Sequence, residues 1–354
     1  MNITKARPGA ALLSLAIALA LQAPLAHAQK ARIVQTNSRS DVISLIDPAT
    51  QTVVGEIKGV PVNHGAAAAP DGSRLYFSSE AKITLDVVDA KTFEIIKEIP
   101  LSARPNNISI GKDGRFVYVG IMNGEGGIDV IDTEKLENVA HIDTKSRVHN
   151  VYVTPDGKYV VAGAFGGDEN LRVYDAQTHE LAFTLYPPKN PAAGDAMDGI
   201  RPITFDTNPD GTTRNMYVQL SDFHGFAVVD FASQKEIKRV ELPSIAEHLR
   251  APEGSYNRAP AHGIGVAPDG KTLWVCSRLN GHVYGYSLPD LELIAEVPAG
   301  DHPDWITFSP DGKFAYAANG GSDDVTVIDI AARKEVIRIP VGSAPKRNIS
   351  VVLP

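Results

Sequence analysis

A unit of about 42 residues recurs along the chain, and no other feature limits its fold so tightly. The stretch from His302 to Gly342 shows the unit clearly, with four short apolar runs at Trp305–Phe308, Phe314–Ala317, Val325–Ile328 and Glu335–Ile339. Each run is bounded by Gly, Pro, Asp or Asn, the pattern of an antiparallel meander rather than of helices. Pro310-Asp311-Gly312 closes the first hairpin, because the Asp side chain bonds its own backbone and Gly accepts a positive φ. Four-stranded units repeated in this way build a β-propeller.

Counting the units gives the closure. Hairpin turns recur at Asp71-Gly72, Asp113-Gly114, Asp156-Gly157, Asp210-Gly211, Asp269-Gly270 and Asp311-Gly312. Third strands recur as Val87-Val88-Asp89, Val130-Ile131-Asp132, Val173-Tyr174-Asp175, Val228-Val229-Asp230 and Val327-Ile328-Asp329, with the fifth complete unit departing at Val283–Ser287. Ahead of these lie only three strand-like runs, Ile33–Thr36, Val42–Ile46 and Val53–Ile57; the C-terminal stretch from Ala344 to Val352 supplies only a first strand. Pairing the two ends in one sheet completes a seventh blade and removes the edge strands that invite aggregation. The expected fold is all-β, a seven-bladed propeller over residues 29–354 closed by N-terminal strands on a C-terminal one.

Residues 1–28 stand apart. Lys5 and Arg7, an apolar run from Ala10 to Leu21 and Ala26-His27-Ala28 describe a secretory signal peptide too short to span a bilayer comfortably. Its removal predicts a periplasmic or secreted protein with no membrane span, and takes the formal charge from -8 to -10. An acidic surface repels phosphate backbones, which argues against nucleic acid as a partner. The lone Cys276 cannot form an internal disulfide and lies in a strand-like run, so it reads as a buried hydrophobe. With no CxxCH motif there is no covalently attached haem.

The units resemble the YVTN repeats of seven-bladed propellers, here as Phe116-Val117-Tyr118-Val119 and Phe314-Ala315-Tyr316-Ala317. The resemblance covers nearly all of the chain after the leader. As a fold it extends to the heavy chains of quinoprotein amine dehydrogenases, the d1-haem domain of nitrite reductase and bacterial lactonases. It implies the architecture; the activities within that set differ, and no motif here is specific to one member.

In such a blade the inner strand starts on one face, the top, where the blade-to-blade connections also lie. Two of those connections are long, at 187–199 and 243–261, which predicts binding loops or a protein-partner surface beside the fourth blade. Counting back seven residues from each turn aspartate selects the inner end of each first strand: His64, Asn106, His149, His262 and Asp304, with Arg201 in the fourth unit and Arg347 in the closing blade by alignment of Ile349 with Ile306. The adjacent level carries Gly65, Asn107, Asn150, Gly263, Trp305 and Asn348, and His224 is within reach from a top loop.

This set predicts a central funnel for a small oxygenated or anionic molecule. His64, His149 and His262 from three blades suit a divalent transition metal with an open coordination position. Without metal, the histidines suit acid–base chemistry, and Arg201 and Arg347 suit anion binding. Two classes remain open on the sequence: a His-dependent, metal-assisted hydrolase or lyase, and a non-catalytic binding propeller or companion of a periplasmic redox enzyme.

Overall fold

The computed structural model describes residues 1, 30–164, 171–185, 199–251 and 258–354. Residues 2–29, which hold nearly all of the expected signal peptide, most of the 187–199 insertion and residues 252–257 of the second insertion lie outside the described residues.

Seven four-stranded antiparallel sheets form the molecule. Their inner strands are Asn63–Ala68, Pro105–Ile110, Val148–Val153, Ile200–Thr207, Ala261–Val266, Pro303–Phe308 and Pro345–Leu353, and they define blades 1 to 7 in that order. Each inner strand neighbours the next around a closed ring, and the strand of blade 7 neighbours that of blade 1. Blade 7 is the shared one: Pro345–Leu353 pairs with Lys30–Asn37, which is followed outward by Val42–Asp47 and Thr52–Lys58. The register sets Val34 against Ile349 and Ile33 against Ser350. One 3-10 turn, Glu247–Leu249, is the only helical element among the described residues.

Local chemistry explains the repetition. At the first hairpins the Asp carboxylate accepts from the backbone two residues on, as Asp71 does from Ser73 N at 3.0 Å and Asp269 from Lys271 N at 2.9 Å. The following glycines, Gly72 to Gly312, all take positive φ. The Asp that ends each third strand caps the next turn: Asp89 Oδ1 accepts from the backbone of Lys91 and Thr92, and Asp175 from Gln177 and Thr178. In the departing fifth unit Ser287 Oγ takes that place, accepting from Glu292 N at 3.1 Å.

The apolar core is divided among the blade junctions. Phe77 and Leu75 of blade 1 pack on Leu45 and Ile43 of blade 7, and Met216 and Val218 of blade 4 pack on Val161 and Leu171 of blade 3. Tyr76, Tyr118, Tyr316 and Trp274 are fully buried in these junctions. Cys276 is buried too, and burial pushes its thiol well above the ordinary range, so it behaves as an apolar side chain.

Candidate functional site

Strand pairing fixes which residues share a level around the axis. The first residue of each inner strand pairs with the top of the second: Asn63 with Ser79, Pro105 with Ile121, Val148 with Ala164, Ile200 with Leu220, Ala261 with Ser277, Pro303 with Asn319 and Pro345 with Asn37. One residue on, the ring is His64, Asn106, His149, Arg201, His262, Asp304 and Lys346. In blade 7 this corrects the sequence alignment by one residue, because Lys346 and not Arg347 holds the ring level. The cause is Asn348, which pairs with Gln35 where Ile306 pairs with Ala317. Aligning by apolar character therefore slipped to Ile349. Pro345, matching Pro105 and Pro303, carries the correct register.

Two of the three histidines meet. His149 and His262, from blades 3 and 5, lie edge to face with ring centroids 5.9 Å apart. His262 Nδ1 is 2.7 Å from the carbonyl oxygen of Asp304, which can only accept, so Nδ1 carries the proton and Nε2 keeps its lone pair. His149 Nδ1 accepts from the Asn150 Nδ2 amide, which places its proton on Nε2. Burial first, and then Arg201 beside His149 and Arg278 beside His262, hold both imidazoles well below their usual pKa. Both are neutral near pH 7.

His64 is engaged by Glu80, with Nδ1 2.6 Å from Oε1, and Arg104 places a guanidinium 3.6 Å from that carboxylate. Burial alone raises the Glu80 pKa, but His64 and Arg104 outweigh it and the group is held below its usual value. The three imidazoles thus do not form one group. Among the described residues no set of three or more His, Cys, Asp or Glu side chains is placed to share a metal ion.

The opposite arc is an ion cluster. Asp304 is fully buried, ion-paired to Arg278, and accepts from Lys346 Nζ at 2.5 Å. Burial raises its carboxyl pKa, yet Arg278 and Lys346 more than reverse this and draw it down to about 2. A top-face cavity of about 450 Å³ opens beside the cluster, lined by Arg39, Arg278, His302, Asp304, Asp323 and Lys346 among others. Arg201, in the remaining arc, donates from Nε to Ser221 Oγ at 2.8 Å and is almost completely buried. Asn106, nine-tenths buried, holds the ring level in blade 2.

One level down, the glycines serve the blades rather than a ligand. A Cβ on Gly263 would lie 2.7 Å from Trp305 Cα, and one on Gly65 would lie 2.7 Å from the Asn106 carbonyl oxygen. The adjacent inner strands nearly touch there. Gly263→Ala is expected to cost about 1–3 kcal/mol through overpacking, read as a lower melting temperature. Asn107 donates to Val151 O at 3.2 Å, and Trp305 packs against His262 with centroids 5.7 Å apart. Arg347 extends across the axis from this level. His224 sits away from the ring, with Nε2 2.7 Å from Ser277 Oγ, and burial then Arg250 bring its pKa down to about 4. Asp222 is likewise engaged, paired with Arg258.

Three contributors escaped the sequence reading. Lys346 had a signal in Pro345. Glu80 had none, since it lies just past a second strand, outside any repeat position that points inward. Tyr152 reads as blade packing in the repeat, yet its ring lies 5.6 Å from the Arg347 guanidinium and its hydroxyl accepts from Ile203 N at 3.2 Å.

Comparison with known proteins places the chain. The model of the seven-bladed β-propeller lactonases matches residues 67–342. No curated protein matches the sequence. Among solved structures, the periplasmic gluconolactonase of Pseudomonas aeruginosa is 21% identical with a TM-score of 0.70, covering 92% of this chain and all (100%) of that one. A putative 6-phosphogluconolactonase from Bacteroides uniformis is 18% identical with a TM-score of 0.71, covering 91% and 99%. Hydrazine synthase of Kuenenia stuttgartiensis is 24% identical with a TM-score of 0.68, covering 82% and 90%. At these identities the structural likeness is one of fold. Among the described residues no helix is long and apolar enough to cross a membrane.

Proposed function

The chain belongs to the lactonase family of seven-bladed β-propellers, and on that premise we propose that the top of its channel binds a small oxygenated cyclic ester and hydrolyses it. The observation that carries this reading is the His149–His262 pair, whose opposite tautomers set a proton acceptor beside a proton donor. Nε2 of His262 takes a proton from water, and the hydroxide attacks the ester carbonyl carbon. Charge developing on the carbonyl oxygen is met by the Nε2–H of His149 and by the Arg201 guanidinium in the blade between them. Collapse of the tetrahedral species breaks the ring C–O bond. The proton held on His262 passes to the departing alkoxide, giving a hydroxy acid and restoring the neutral imidazole.

The polar cavity beside Asp304 suits the hydroxyl groups of such a substrate, with Lys346 and Arg278 as donors. The leader-like residues 1–28 and the periplasmic gluconolactonase among the structural neighbours support action outside the cytoplasm. The test is proton release in a pH-stat at pH 6–7 with five- and six-membered aldonolactones, beside acyclic esters. Turnover of the cyclic esters well above their spontaneous opening is expected. A folded protein that speeds no lactone sinks the reading.

A further inference from the structure

The guanidinium of Arg347 is a buried cation that the ring chemistry leaves unused. From blade 7 it reaches Trp305 of blade 6, Tyr152 of blade 3 and Asn107 of blade 2, and so lies across the channel beneath the imidazole pair. Its Cζ stands 4.2 Å from the Trp305 ring centroid, and Nη1 donates to Asn107 Oδ1. Arg347 is 8% exposed, yet Nε has no hydrogen-bond partner, and among the described residues no carboxylate pairs with it. Arg278 and Arg214, by contrast, each have an aspartate, Asp304 and Asp206.

Burial pulls the Arg347 pKa down, to about 10, so the group stays charged at neutral pH. A buried charge without a counter-ion is strongly unfavourable. The aromatic faces of Trp305 and Tyr152 offset part of that cost, and an amide oxygen brings no negative charge. One guanidinium balances one negative charge, which favours a monoanion, and a planar fork favours a carboxylate.

We infer that Arg347, Asn107 and Trp305 form an anion site in the channel that takes a carboxylate. Under the hydrolytic reading, on which this one identification rests, the occupant is the acid group released when the lactone ring opens. Anion binding itself does not depend on that reading.

The experiment titrates sodium gluconate, as a hydroxy-acid probe, into the full-length protein in low-chloride buffer. It follows tryptophan fluorescence and melting temperature. The chain has two tryptophans; Trp274 is wholly buried in a blade junction, whereas Trp305 faces the guanidinium. A saturable fluorescence change is expected, with a melting temperature raised by a few degrees once the probe exceeds its Kd about 100-fold. Arg347→Met loses both effects and melts no lower than the parent without anion, because the uncompensated charge is gone. A structural role for Arg347 predicts the opposite, a lower melting temperature. Should Arg347→Met fail to fold, Arg347→Lys keeps the charge without the fork and is expected to bind at least about tenfold more weakly. No response to gluconate, or equal binding in the Arg347 variants, overturns the site. Chloride binding as well as gluconate overturns the carboxylate assignment in favour of an inorganic anion. Gluconate binding without lactone turnover removes only the hydrolytic reading, and turnover without such binding removes only this one.

Discussion

His262→Ala is expected to lower kcat for lactone opening by about 10²–10⁴-fold, with KM changed far less, because the side chain acts on the proton and not on substrate affinity. His149→Ala is expected to fall in the same range through loss of the Nε2–H donor. The double variant should lose little more than either single one, since the two imidazoles act as a unit. The pH profile is a second readout. Both groups are held well below the ordinary imidazole pKa by burial and neighbouring arginines. In the parent, kcat/KM is therefore expected to stay level as pH falls through about 6.5, where a free imidazole would titrate, and to decline only further into acid. A profile breaking at 6.5, or full turnover in His262→Ala, removes His262 as the base.

Asp304→Asn carries the largest expected effect on stability. It leaves Arg278 almost fully buried with no carboxylate from Asp304 and frees Lys346 of its acceptor. Breaking a buried ion pair from one side costs about 3–5 kcal/mol. The melting temperature should fall by roughly 4–7 °C. The sign with pH follows from the carboxyl being drawn from its ordinary value down to about 2. The native state binds fewer protons than the unfolded chain between those values, so the Asp304 contribution is complete above about pH 4 and is lost as pH falls toward 2. The gap between parent and Asp304→Asn should therefore narrow over that interval, and thermal melts at pH 7, 4 and 2.5 measure it. A constant gap would locate the stability of this arc elsewhere.

Fold and site were legible to different degrees. Turn aspartates, their glycines and the third-strand Val-Ile-Asp pattern act locally, so each repeat announces its own strands and the count of blades follows by addition. The ring level was legible for the same reason, since it lies a fixed number of residues from the turn. Blade 7 has no such turn to count from in its inner strand, and with Asn348 at the level of Ile306 the apolar landmark was missing; the shift from Arg347 to Lys346 follows. Where the side chains point was not legible. His64 and His149 occupy equivalent levels, yet one is bonded to Glu80 and the other meets His262. That choice belongs to neighbours in other strands, which spacing does not encode. At Gly263 and Gly65 a glycine signals close approach by either backbone or ligand, and it is the next strand's backbone that comes close.

The clasp in blade 7 also sets a clock. Its bonds join groups as far apart as Gln35 and Arg347, separated by 312 residues, with Gln35 Nε2 donating to the Arg347 carbonyl at 3.2 Å. Holding such distant groups together costs only slowly more with length at equilibrium, but finding one another takes time. During synthesis six blades can assemble in sequence while Lys30–Asn37 waits for a mate made after all of them. Arg347 arrives with that same strand, so the channel floor and the imidazoles above it are brought into register only at the final moment of locking.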